Sequence, residues 1–141
     1  MSLAEKLVDE ALEKCYEYDN PLTAAECIVK YWRAVESRDC TTLSELPSGG
    51  ELCRNPELLG EALEEYKEGL RCFIDDFLRV CKKLRGKYTR WACLETLIEV
   101  LNMYADVFTK ALGAEEHRKM LQQAEKLRDD WIQKAFGGTP P

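Results

Sequence analysis

The stretch Trp91–Leu112, WACLETLIEVLNMYADVFTKAL, constrains this chain more than any other. Leu94, Leu97, Leu101, Tyr104, Phe108 and Ala111 recur at spacings of 3, 4, 3, 4 and 3, which is one stripe of an α-helix. Cys93, Val100 and Val107 flank the stripe on one side. Trp91, Ile98, Ala105 and Leu112 flank it on the other. Only Glu95, Thr96, Glu99, Asn102, Asp106, Thr109 and Lys110 form a polar strip. A helix apolar over most of its circumference must be covered by other helices. The expected fold is therefore all-α, an antiparallel and mostly up-and-down bundle of about five helices with this apolar helix, the fourth, at its centre.

Four further amphipathic segments can do the covering. Helix 1 is expected over Leu3–Tyr18, with Ser2 and Glu5 at capping-box spacing. Helix 2 follows from Pro21 to Glu36 or Arg38, opened by Asn20 as N-cap and Pro21 at the first helical position. Asn55-Pro56 repeats that chemistry and opens helix 3, which runs to Arg85 over roughly 45 Å at 1.5 Å per residue. Its Leu59, Leu63, Tyr66, Leu70, Phe73, Phe77, Val80 and Leu84 keep heptad-like spacing. Gly60 and Gly69 are either weak points or places of close helix approach. Helix 5 covers Ala114–Phe136 and stops at Gly137-Gly138. Residues 39–54 read as a connector between two helical hairpins, with one short helical turn over Thr41–Leu46. The expectation is one domain over 1–138 and a frayed tail over 139–141.

Composition removes several classes of function. Apolar residues at 45% and charged residues at 33% exclude intrinsic disorder. A net charge of −6 argues against a surface that grips nucleic acid over its whole extent, while leaving room for a local basic patch. No apolar run approaches the roughly 18 residues of a membrane helix. The acidic, amphipathic start MSLAEKLVDEALEK lacks the basic and apolar regions of a secretory signal, so the chain reads as cytoplasmic.

Seven cysteines, Cys15, Cys27, Cys40, Cys53, Cys72, Cys81 and Cys93, complicate that assignment. None forms a CxxC pair, and with one histidine a Cys/His zinc site has little material. Two readings stay open. The cysteines are small buried hydrophobes, or some are disulfides of the kind found inside hyperthermophile cells, to which the Glu/Lys/Arg-rich composition also points. The pair expected to form is Cys40–Cys53, which brackets the longest irregular segment. The odd count leaves one thiol free or bridging subunits.

Signals for catalysis are weak. The lone histidine, His117, sits near the start of helix 5 and reads as a surface residue. Asp75-Asp76 and Asp129-Asp130 are adjacent, so each pair points two ways on a helix. There is no ExxH metal pattern and no GxxxxGK[ST] or GxGxxG phosphate loop. No catalytic residue, metal or cofactor is expected.

The most informative polar feature is the turn between helices 3 and 4, RVCKKLRGKYTRW. Arg79, Lys82, Lys83, Arg85, Lys87 and Arg90 occur there without an acid, interleaved with Tyr88 and Trp91. Cations placed so can hold nucleic-acid phosphates, and the aromatics can stack on bases. They also complement the dipole of helix 3, which opens with Glu57, Glu61, Glu64, Glu65 and Glu68.

The segment Asp19–Glu36, DNPLTAAECIVKYWRAVE, is similar to the second-helix region of small archaeal helical proteins of the PaREP type, which resemble the wider HEPN superfamily. The shared feature is a short turn followed by an Ala-rich helix with an aromatic and a basic residue. The resemblance covers under a fifth of the chain. HEPN ribonucleases carry an Arg followed after four to six residues by His. No Arg lies in that window before His117. The resemblance therefore implies a non-catalytic helical bundle that dimerises, with a role beside nucleic acid or a nucleotidyltransferase partner.

Two classes of function follow as expectations. One is a helical interaction or assembly protein that self-associates, or binds another protein, through Leu58, Ala62, Ile74 and Leu78 beside the helix 3 seam. The other is a nucleic-acid accessory protein that binds phosphates through residues 79–91. A HEPN-like nuclease is a remote third.

Overall fold

Local capping chemistry sets the helix starts. In a computed structural model covering residues 1–141, α1 spans Leu3–Tyr16, and the Ser2 hydroxyl accepts from the Glu5 N–H at 3.1 Å. The Asn20 side chain accepts from Leu22 at 2.9 Å and opens α2, Pro21–Ser37. Asp39 caps the short α3, Cys40–Leu43. Thr42 donates its hydroxyl and N–H to that carboxylate and holds it below the usual carboxylate pKa. A second short helix, α4, covers Gly49–Cys53. Asn55 accepts from Glu57 at the start of α5, Pro56–Lys83. Then come α6 at Lys87–Met103, α7 at Ala105–Leu112 and α8 at Ala114–Phe136. Every element is helical, and no helix is long and apolar enough to cross a membrane.

The chain folds as two compact units, Met1–Cys72 and Phe73–Pro141, with α5 contributing to both. In the first unit α1 packs on α2, and α3 and α4 close against them. Leu7, Ala11, Ile28, Val35, Leu43 and Leu52 are fully buried there. Burying side chains of this size contributes about 1.5–3 kcal/mol each. Tyr66 is completely enclosed, and its phenol donates to the Ile28 carbonyl at 2.6 Å. Burial pushes that phenol well above the usual tyrosine pKa. The backbone of α5 comes close to α1 at Gly69, where a β-carbon would meet Leu12 Cδ1 at 3.1 Å. Gly60 has open space around it, so only the second of the two α5 glycines marks a close approach.

Segment 39–54 is more than a connector. The Glu10 carboxylate on α1 accepts from the Ser48 N–H at 2.8 Å and from its hydroxyl at 2.6 Å. At the entrance to α4 a β-carbon on Gly49 would overlap the Leu43 carbonyl oxygen. The first contact joins residues 38 apart in sequence and the second packs the two short helices together, neither of which local propensity reveals.

In the second unit α6 and α7 pack on α8. The helix expected over Trp91–Leu112 is broken at Tyr104 into α6 and α7. His117 Nε2 on α8 lies 2.8 Å from the Leu101 carbonyl, one of the last-turn acceptors of α6 that a helix end leaves orphaned. The imidazole also stacks on Phe108, so His117 is half-buried structure and not a surface histidine. The main stripe is buried at Leu94, Leu97, Leu101, Phe108 and Ala111. Trp91, Cys93, Ala105 and Leu112 are only half-buried, so the cover is incomplete on the flanks.

Six cysteines pair. Cys15–Cys27 joins α1 to α2, Cys40–Cys53 joins α3 to α4, and Cys81–Cys93 joins α5 to α6, at Cα–Cα distances of 5.4, 5.8 and 5.4 Å. The pair expected from the sequence forms. Cys15, Cys27, Cys81 and Cys93, which sit among apolar residues and can pass for small core side chains, are bridged as well. Cys72 keeps a free, exposed thiol.

Candidate functional site

The α5–α6 turn is built by its own side chains. Helix α5 ends at Lys83 and α6 begins at Lys87, so the last carbonyls of α5 need donor partners from elsewhere. Arg90 provides them. Its Nε donates to the Leu84 carbonyl and one terminal nitrogen to the Lys82 carbonyl, both at 2.7 Å. The guanidinium lies 4.2 Å from the centre of the Trp131 ring on α8. The Trp131 indole N–H donates to the Lys87 carbonyl at 2.8 Å. Arg90 and Trp131 thus tie α5, α6 and α8 into one rigid corner. The Cys81–Cys93 bridge closes the base of the same hairpin.

This corner divides the cations expected to bind anions. Arg90 is engaged by backbone carbonyls and the indole, so it shapes the turn and is not an open phosphate ligand. Arg79 pairs with Asp76 one turn earlier on α5, an acid just outside the acid-free run. Lys87 leans over the rings of Tyr88 and Phe136, at 5.5 and 5.1 Å from their centroids. Tyr88 packs edge-on against Phe136 yet stays 60% exposed. Lys82, Lys83 and Arg85 point to solvent with no ion pair within the chain. The turn thus presents three open cations, a fourth on an aromatic pair, and an exposed phenol ring.

A cleft of about 150 Å³ adjoins these residues. Leu94, Leu127 and Trp131 supply its apolar lining, and Lys82, Arg90, Asp130 and Lys134 its charged lining. Lys134 belongs to this cluster although it lies far along the sequence from the basic turn. The signal that could have found it is helical spacing, since Leu127, Trp131 and Lys134 share one face of α8.

The remaining polar cluster does structural work. In the first unit the Tyr31 hydroxyl donates to Glu45 at 3.0 Å and Lys30 Nζ donates to the same carboxylate at 2.9 Å. Lys30, and then Tyr31, hold the Glu45 carboxyl below its usual range. No three His, Cys, Asp or Glu side chains converge on a metal-sized point. No protein-family model, curated protein or solved structure matches this chain.

Proposed function

We propose that this protein is a nucleic-acid accessory protein whose α5–α6 turn binds the phosphates of single-stranded RNA or DNA. The observation that carries the proposal is the exposed, unpaired set Lys82, Lys83 and Arg85 beside the open face of Tyr88, on a corner held rigid by Arg90, Trp131 and Cys81–Cys93. The fixed backbone corner keeps the three cations close together, and a tyrosine ring stacks on any base. The charge balance agrees. Residues 1–72 hold 16 acidic and 8 basic residues, net −8, whereas residues 73–141 hold 10 acidic and 12 basic, net +2. An acidic first unit repels a polyanion and confines it to the second.

Self-association through the α5 seam has less to stand on. Ala62, Ile74 and Leu78 are buried within the single chain, and Leu58 is half-buried. A nuclease using His117 would need an imidazole free to meet substrate, and this one is held by a backbone carbonyl and Phe108. The antiparallel bundle topology expected from the sequence belongs to this proposal. So does a cytoplasmic setting, where three disulfides suit a hyperthermophile.

Fluorescence anisotropy with a labelled uridine or thymidine oligomer at several salt concentrations tests the proposal. Three phosphate contacts predict a salt slope near −2, so affinity falls roughly twentyfold between about 50 and 200 mM salt. Lys83→Glu/Arg85→Glu should make the slope shallower by about 1.4 and weaken binding more than tenfold. A wild-type chain that binds no strand at low salt overturns the proposal.

A further inference from the structure

We propose that the cleft between α6 and α8 is a subsite for one pyrimidine nucleotide, with cytosine as the favoured base and its phosphate held by Lys82 and Lys134. This deepens the nucleic-acid proposal above and rests on it for the meaning of the cations in the lining.

Size comes first. An apolar cavity of about 150 Å³ holds a benzene-sized ring, while sites for larger organic ligands run to about 300–1,000 Å³. The cleft volume of about 150 Å³ therefore admits one six-membered ring and leaves a sugar and phosphate outside. Its walls suit a flat ring. Leu94 is buried in the core of the unit, and Trp131 is fixed by its N–H bond to Lys87 and by the Arg90 guanidinium. A slot whose walls are already fixed takes a ring without ordering itself first.

Polar groups then choose among rings. Asp130 in the lining makes no ion pair within the chain and is acceptor-only when ionised. A carboxylate accepts from the exocyclic amino group of cytosine, whereas uracil offers a carbonyl oxygen at that position and is repelled. Lys82 on α5 and Lys134 on α8 place two ammonium groups in the same lining. A phosphate monoester carries about −1.5 to −2 charges at neutral pH and satisfies both. A free cytidine monophosphate and a cytidine 5′-phosphate ending a strand share this chemistry.

Amide and indole ¹H–¹⁵N spectra of the full chain, titrated with CMP, UMP, cytidine and inorganic phosphate, test the subsite. CMP should move the Trp131 indole signal and bind about tenfold more tightly than cytidine or UMP. Lys82→Ala/Lys134→Ala should reduce CMP to the level of cytidine while leaving cytidine itself unaffected. An unmoved Trp131 indole, or equal affinity for CMP, UMP and inorganic phosphate, overturns the subsite. The source is read by a uridine decamer with and without a terminal 5′-phosphocytidine. Tighter binding of the cytidine-ended strand identifies a strand end as the ligand, and preference for CMP alone identifies the free nucleotide. Strand binding through Lys83 and Arg85 with no response to CMP removes the subsite and leaves the nucleic-acid proposal standing. A CMP response without strand binding does the reverse.

Discussion

The two units use the same staple for different ends. Residues 1–72 carry two disulfides and a net charge of −8, and their polar side chains, such as Glu10, Tyr31, Glu45 and Tyr66, bond within the unit. Residues 73–141 carry one disulfide and a net charge of +2, and Lys82, Lys83 and Arg85, within the loop that the disulfide closes, make no ion pair. Each bridge spans 12 or 13 residues. In the first unit the bridges stabilise a closed structure. In the second the bridge encloses Lys82, Lys83, Arg85, Lys87, Tyr88 and Arg90, so it also presents a surface. The lesson is that an identical covalent constraint presents whatever its loop carries, which is no Lys or Arg in the first two loops and five in the third.

The largest expected effect breaks this comparison at its covalent base. Closing a loop of this length stabilises by about 3 kcal/mol, so replacing the four cysteines of the first two bridges with Ala should cost about 6 kcal/mol and Cys81→Ala/Cys93→Ala about 3. Denaturant melts measure both. Thiol counting in denaturant should find one reactive group, Cys72, before reduction and seven after it. Seven groups without reductant would remove the comparison altogether.

Next in size is Gly49→Ala in the first unit. The added methyl has to displace the Leu43 carbonyl, which should cost about 1–3 kcal/mol and leave strand binding untouched. Equal stability of variant and wild type would mean that α3 and α4 are not packed as described.

Arg90→Ala is smaller in energy but acts on the presenting side. Loss of two charge-assisted bonds and the stack on Trp131 should cost about 2 kcal/mol. Arg90→Lys should fail to restore it, since an ammonium lacks the guanidinium fork. If strand binding fell while stability held, Arg90 would be a phosphate ligand after all.

The smallest effect is on pH. Glu45 has its folded pKa lowered by Lys30 and Tyr31, so its contribution is present above the ordinary glutamate pKa and is lost as pH falls through the lowered one. Glu45→Gln should therefore lower stability slightly at neutral pH, leave it nearly unchanged below the lowered pKa, and flatten the acid limb in between. An unaltered acid limb would show that the cluster contributes nothing.

Much of the chain was legible in advance. Ser2, Asn20-Pro21 and Asn55-Pro56 announce three helix starts through capping bonds that span two or three residues. Helix α8 begins and ends where Ala114 and Phe136 place it. The basic turn stood out as an acid-free run. What stayed hidden depended on partners distant in sequence. At the break at Tyr104, His117 from α8 meets the Leu101 carbonyl. The engagement of Arg90 as a cap on α5 needs the end of α5 and the ring of Trp131 to converge on it. The bridges at Cys15–Cys27 and Cys81–Cys93 need two helices folded back on each other, although their shared spacing of 12 was open to view.

By itself the sequence determined that this protein is helical, where most of its helices begin, and which turn carries the cations. Periodicity and capping act over a few residues, and the chain states them directly. Only the tertiary structure decided which cations remain open, which cysteines pair, and that Lys134 joins the turn beside an apolar cleft. Those outcomes depend on distances between elements that the linear order does not contain.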